Sequence, residues 1–212
     1  MTLKLYAFPP SPRARKPLAV LHHLKLPFEL EFLDMARGAH KTPEFLRLNP
    51  NGRMPVLVDD DFVLWESNAI MLHLANKVPG NFFPRDDRAR ADISRWLFWD
   101  MAHWDSACAT LLFENLVKGA FGGGAPDPVR VKEGEDKFNA LAAVLDDHLS
   151  RRRWMVGDTL TPADFALAAP LHYAQQCRVP VGNRPHIQRW YAQIAELDAW
   201  KKSAPPPLGS PG

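Results

Sequence analysis

Residues 52–67 read Gly-Arg-Met-Pro-Val-Leu-Val-Asp-Asp-Asp-Phe-Val-Leu-Trp-Glu-Ser. Two short apolar runs, Val56-Leu57-Val58 and Phe62-Val63-Leu64, flank the acidic turn Asp59–Asp61. That pattern predicts a β-hairpin with a solvated tip. A Met-Pro step opens the hairpin, and a Glu-Ser pair closes it where helical spacing begins, over Ser67–Lys77.

Upstream, residues 3–8 (LKLYAF) alternate about Leu3, Leu5 and Ala7 and predict a strand. Residues 13–24 carry Val20, Leu21 and Leu24 on one helical face. Pro17 is expected in the first turn, because deeper in a helix proline removes a ladder bond and clashes. Residues 28–33 (FELEFL) alternate again, so strand, helical crossover and strand form a parallel βαβ unit. A short helix follows, capped by Thr42 with Pro43 at its first position. The predicted order through residue 77 is β-α-β-α-β-β-α.

Downstream the period changes. Residues 79–88 (PGNFFPRDDR) have linker composition, and beyond them only helical spacing recurs, over 89–118, 129–150, 161–177 and 184–202. The division predicted is an α/β domain at 1–78, a linker at 79–88, an all-helical domain at 89–202 and a flexible tail at 203–212. That tail is too rich in Pro and Gly to pack.

Of the 212 residues, 46% are hydrophobic and 24% charged, an ordinary composition for a chain with a sizeable core. The 26 basic and 24 acidic residues leave a formal charge of +2, which makes no electrostatic case for nucleic acid or an anionic membrane. Cys108 and Cys177 lack zinc-type or CxxC spacing and read as free thiols in a reducing compartment. No apolar run approaches the ~18 residues that span a bilayer, and no signal peptide is visible, so a cytoplasmic protein is expected. The histidines show no i, i+4 pair, and no metal is expected.

Four motifs carry chemistry or fold. In Phe8-Pro-Pro-Ser-Pro-Arg-Ala-Arg-Lys16, Ser11 stands between the first strand and the first helix. A serine there caps the helix, or it holds an anion at a helix N-terminus. At Trp65-Glu66-Ser67-Asn68 a helix opens directly after a strand. Ser67 and the unpaired N–H groups suit a carboxylate and Glu66 an ammonium, or the pair is simply a cap. Met54-Pro55 is an X-Pro step, the one kind of peptide bond where cis is cheap. Thr161-Pro162-Ala163-Asp164 is a capping box with Asp in place of Glu, and its reading is structural.

This layout and these motifs resemble a glutathione transferase of the bacterial, serine-using kind (theta- or nu-like) over residues 3–202. The resemblance implies that family's fold, a thioredoxin-like domain followed by an all-helical one. It implies a cis Met54–Pro55 bond, with the Met54 backbone pairing with glutathione as an added strand would. Glu66 and Ser67 would hold the γ-glutamyl end, and His40 (or Lys41) with Arg53 the glycyl carboxylate. Ser11 would donate to the sulfur and favour the thiolate, with Arg13 and Arg15 as further support. Free thiols titrate near ~8.5, so such help matters at neutral pH.

A small hydrophobic electrophile would meet the thiolate beside Trp99 and His103. Asp100 would reach a partner subunit's glutathione in a homodimer, and the aromatic surplus of 89–118 would supply an extra buried face. The expected chemistry is detoxifying conjugation, with peroxide reduction also open. A glutathione-dependent isomerase and a non-catalytic binding member of the same fold are the alternatives. A thiol-disulfide oxidoreductase fits less well, because it needs a cysteine at the strand-helix turn.

Overall fold

Strand β1 (Leu3–Ala7) buries Leu3, Leu5 and Ala7 on one face and leaves Lys4 and Tyr6 half-buried on the other. The computed structural model describes residues 3–205. Helix α1 (Pro12–His23) crosses over to β2 (Phe28–Phe32), which pairs in parallel with β1 from Leu3↔Phe28 to Ala7↔Phe32. The helix begins at Pro12, so Pro17 falls in its second turn and not its first. There its missing N–H removes the helical bond to the Arg13 carbonyl, a cost of about 3 kcal/mol that the packing of this buried ring helps to offset.

A 3₁₀ turn (Ala39–Lys41) leads to α2 (Pro43–Leu48), whose cap is Thr42: the Phe45 N–H donates to its hydroxyl at 3.3 Å. The hairpin forms as β3 (Val56–Asp59) and β4 (Phe62–Trp65), and α3 (Ser67–Lys77) follows at once. The sheet order is β2-β1-β3-β4, with β3 antiparallel to both β1 and β4. Leu33, Phe45 and Val56 form a core under one face of this sheet. Asp59, on β3, takes hydrogen bonds from two α3 side chains: Lys77 Nζ at 2.5 Å and His73 Nε2 at 2.7 Å.

The chain divides into two compact units. One comprises residues up to Gly80 together with Glu196 onward, and the other comprises Asn81–Ala195. The second unit is helical. Its α4 (Asp87–Trp99) is capped by Asp86, which accepts from the Ala89 N–H at 2.7 Å. The helix runs on through a π turn (Asp100–Trp104), α5 (Asp105–Leu112), a second π turn (Phe113–Val117) and α6 (Lys118–Ala120). Then come α7 (Pro128–Ser150) and α8 (Pro162–Ala168). The segment 161–177 tightens to 3₁₀ at Ala169–Tyr173, where Pro170 interrupts the α ladder. Helix α9 (Pro185–Ala195) closes the unit.

The expected single helix over 184–202 is two helices. After Glu196-Leu197 the chain forms α10 (Asp198–Lys202), which packs on α1 in the first unit. Sequence spacing alone gave no sign of this, because α9 and α10 are both amphipathic and nearly contiguous. The expected tail start also moves, since Ser203 is buried; residues 206–212 lie outside the described residues.

The helical core is aromatic. Trp104, fully buried, donates its indole N–H to the Leu167 carbonyl at 3.0 Å and packs on Phe138 of α7 at 5.0 Å. The capping box is the polar centre of this unit. Asp164 accepts from Thr161 N–H (2.8 Å), Thr161 O–H (2.9 Å), Met155 N–H (2.9 Å) and Trp190 indole N–H (2.9 Å). Burial pushes its carboxyl up to about 6, against the pull of those four donors. Cys108 and Cys177 are both buried free thiols, and burial raises Cys177 to about 11.

Candidate active site

Strand register gathers the predicted site residues of the first unit at one end of the sheet. Tyr6 lies opposite Val56, and Val56 opposite Trp65. The chain leaving β1 toward Ser11, the chain entering β3 through Met54, and the chain leaving β4 into Glu66 and Ser67 therefore share one end of the sheet. Ligands of sheet proteins of this kind collect at such an end.

Ser11 occupies the N-cap position of α1 with extended backbone (φ −75°, ψ 129°), yet its side chain makes no cap hydrogen bond. Its carbonyl accepts the Arg15 N–H at 3.1 Å, so the first turn closes through the backbone alone. Arg13 stays half-buried at the second helical position. Arg15 departs from the expectation of direct support for a thiolate. Its side chain is buried, Nη2 donates to the Trp200 carbonyl at 2.9 Å and Nε to Ser203 Oγ at 3.3 Å. A planar guanidinium with several donors is bound by whatever acceptors surround it, and here these belong to α10.

The Met54–Pro55 peptide is cis. Among the described residues, neither the N–H nor the C=O of Met54 finds a partner within the chain. The turn before it is built by Asn49. Its buried amide donates to the Arg53 carbonyl at 2.6 Å, and its oxygen accepts from the Asn51 N–H at 3.0 Å. An Asn-Pro-Asn-Gly run signals such a side-chain-to-backbone turn. Gly52 has φ +59°, and a Cβ there would meet the His40 carbonyl at 3.1 Å. Glycine thus lets the His40 loop seat against the turn carrying Arg53 and Met54. Arg53 is exposed, whereas Nδ1 of half-buried His40 is a buried nitrogen without a hydrogen-bond partner.

Glu66 sits at the N-cap of α3 with φ +74°, ψ 113°, a conformation L residues seldom adopt. Its exposed side chain makes no cap bond. Ser67 is buried as the first residue of the helix, whose N–H groups point out at this end. Strain of this kind clusters where a site needs a side chain aimed outward.

In the second unit, Trp99 and His103 are ring neighbours at 6.4 Å, edge to face, and Trp99 stacks on Trp104 at 5.8 Å. His103 is exposed within the first π turn, and π turns interrupting α-helices recur at functional positions. Asp100, in the same turn, is fully buried, which corrects the expectation that it extends to a partner subunit.

Known proteins resemble this chain over both of its units. Residues 1–76 match the family model "Glutathione S-transferase, N-terminal domain", and residues 112–198 match "Glutathione S-transferase, C-terminal domain". The chain is 36% identical to glutathione S-transferase 3 of Zea mays, over 98% of each chain. It is 32% identical to glutathione S-transferase GstB of Escherichia coli K12, over 91% of this chain and 92% of that one. The crystal structure of glutathione transferase F7 from Populus trichocarpa superposes with a TM-score of 0.88 at 29% identity, covering 95% and 97% of the two chains. With its thioredoxin-like and all-helical units, the chain belongs to the glutathione S-transferase family.

Proposed function

We propose that this chain is a serine-type glutathione transferase that ionises the glutathione thiol at Ser11 and conjugates it to small hydrophobic electrophiles. The observation that carries this reading is a serine at a helix N-cap whose hydroxyl is not used as the cap. The peptide lies across the sheet end, its cysteinyl unit on the N–H and C=O of Met54 after cis Pro55. Glu66 takes the γ-glutamyl ammonium, while Ser67 and the N-terminus of α3 take its carboxylate. His40 and Arg53 take the glycyl carboxylate, which supplies the Nδ1 of His40 with a partner once that nitrogen carries a proton. The Glu66 conformation fits a side chain held out for a ligand.

Ser11 then donates to sulfur, and the N-terminal N–H groups of α1 with Arg13 add positive potential, so the thiol proton passes to solvent below its ordinary pKa. The thiolate attacks an electrophilic carbon, a C–S bond forms, and a halide leaves or an activated alkene takes a proton from solvent. In the helical unit, the ring neighbours Trp99 and His103 are the candidate contacts for an electrophile. The protein works in the cytoplasm as a homodimer, without metal, by positioning and anion stabilisation.

The test is thiolate absorbance of the binary complex titrated against pH. Loss of one charge-assisted bond in Ser11→Ala raises the bound thiol pKa by about one to two units. Matching curves for wild type and variant assign the anion to the backbone N–H groups instead. Failure to bind immobilised glutathione overturns the reading altogether.

A further inference from the structure

The first turn of α1 opens on Pro12 but lacks two other usual means of stabilisation. Ser11 supplies no side-chain cap, no acidic residue stands in the turn, and Arg13, Arg15 and Lys16 crowd the positive end of the helix dipole. Such an end frays unless something else holds it. What holds it comes from the far end of the chain. The Arg15 guanidinium lies 3.8 Å over the Trp200 ring while donating to the Trp200 carbonyl and to Ser203 Oγ. Ser203 Oγ in turn donates to the Trp200 carbonyl at 2.9 Å, and Trp200 and Ser203 are both buried. The backbone N–H of the same Arg15 closes on the Ser11 carbonyl.

We infer that Arg15 is a positioning residue for Ser11. It fastens the first turn of α1 to the α10 turn Trp200–Ser203, a task the cap performs in most helices, and so leaves the Ser11 hydroxyl available to sulfur. This rests on the reading of Ser11 given above. A buried guanidinium is costly and gains little stability over an apolar side chain of its size, so its service here is geometric. It also gives the short helix α10 a function distinct from the helical unit that precedes it. A shift of the Ser11 hydroxyl by a fraction of an ångström suffices to weaken a bond to sulfur.

The experiment compares wild type, Arg15→Lys, Arg15→Met, Ser203→Ala and Ser11→Ala by thiolate titration of the glutathione complex and by steady-state kinetics with 1-chloro-2,4-dinitrobenzene. Thermal unfolding of each variant is recorded alongside. Arg15→Lys keeps the charge but loses the planar fork. It is expected to raise the bound thiol pKa and lower kcat at neutral pH by about tenfold, with KM for glutathione changed less than about twofold. Ser203→Ala, which leaves every charge in place and removes one contact, is expected to move the same quantities in the same direction by less.

In the Ser11→Ala background, Arg15→Lys is expected to add no further shift. Wild-type titration by Arg15→Lys overturns the inference, because charge alone then suffices. A lower unfolding temperature with unchanged pH profiles in Arg15→Lys and Ser203→Ala also overturns it, leaving only a structural contact. If Arg15→Met fails to fold, those two variants still decide. An unshifted Ser11→Ala defeats the parent reading instead, whatever Arg15 does.

Discussion

The indole N–H of Trp190 donates to Oδ1 of Asp164 at 2.9 Å, joining two fully buried side chains from different helices. With three further donors on the same carboxylate, both oxygens are acceptors. Asp164→Asn replaces one acceptor by an N–H₂ group facing donors. The expected cost at neutral pH is about 2–4 kcal/mol, measured by urea unfolding. A loss below about 0.5 kcal/mol, the range of an ordinary surface substitution, contradicts it.

The same carboxyl gives a pH signature. Burial raises it from its ordinary value to about 6. A raised folded-state pKa means that its contribution is fully present below the unfolded value and is lost as pH rises toward 6. The span is at most about 3 kcal/mol, at about 1.4 kcal/mol per pH unit. His22, His23 and His148 act oppositely, since burial holds each below its ordinary value and stability falls as they become charged in the unfolded chain. The difference between wild type and Asp164→Asn removes them. The penalty of the substitution is therefore expected to grow as pH falls from 7 to 4. A flat difference would show that the four donors offset burial fully.

Asp59 behaves in the usual carboxylate sense. Burial pushes its carboxyl up, but hydrogen bonds and charge from Lys77 and His73 outweigh that and hold it below its ordinary value. Its contribution is present above the unfolded pKa and lost as pH falls through the folded one. Lys77→Met is expected to cost about 1 kcal/mol at pH 7, the lower end for an ion pair because Lys77 is partly exposed. The cost should vanish toward pH 3. Denaturant midpoints of the two proteins across that range check both statements.

The first unit was legible because β1 alternates at period two, β3 and β4 are short apolar runs about an acidic turn, and α1 shows an i, i+4 face, so Leu5, Val20 and Leu57 reveal their burial locally. Thr161 and Asp164 were legible for the same reason, being three residues apart. Arg15 was not. Its partners lie 185 and 188 residues away, and a buried arginine looks like any other arginine in sequence. Asp100 and the two π turns escaped too, because one extra residue per turn leaves apolar periodicity almost untouched. Gly52 and Asn49 occupy the middle ground: turn chemistry was readable at both, but the seat of the His40 loop against Gly52 was not.

Helix α4 carries Phe98 at 75% exposure beside buried Trp96 and Leu97, while Phe62 and Trp65 of β4 are also exposed. Apolar groups of this size left in water favour association. Sedimentation at micromolar concentration is expected to give twice the chain mass of 23.9 kDa. Phe98→Glu should shift the protein toward the single-chain mass. A wild-type monomer would contradict the two-fold arrangement.

Glu66 separates stability from binding. Its backbone holds φ +74° although its side chain makes no cap bond, so the fold carries the cost of an L residue in that region without a local return. Glu66→Gly relieves that cost. Unfolding free energy is expected to rise by about 1 kcal/mol, since strain of this type is of order 1–3 kcal/mol and glycine adds back some chain entropy. Affinity for glutathione should move the other way and weaken by about tenfold, as one charge-assisted contact to the γ-glutamyl ammonium is lost. Calorimetric titration and urea unfolding of the one variant read both effects. A destabilised Glu66→Gly with unchanged glutathione affinity would mean that Glu66 serves the turn and that the γ-glutamyl end is held by Ser67 and the start of α3 alone.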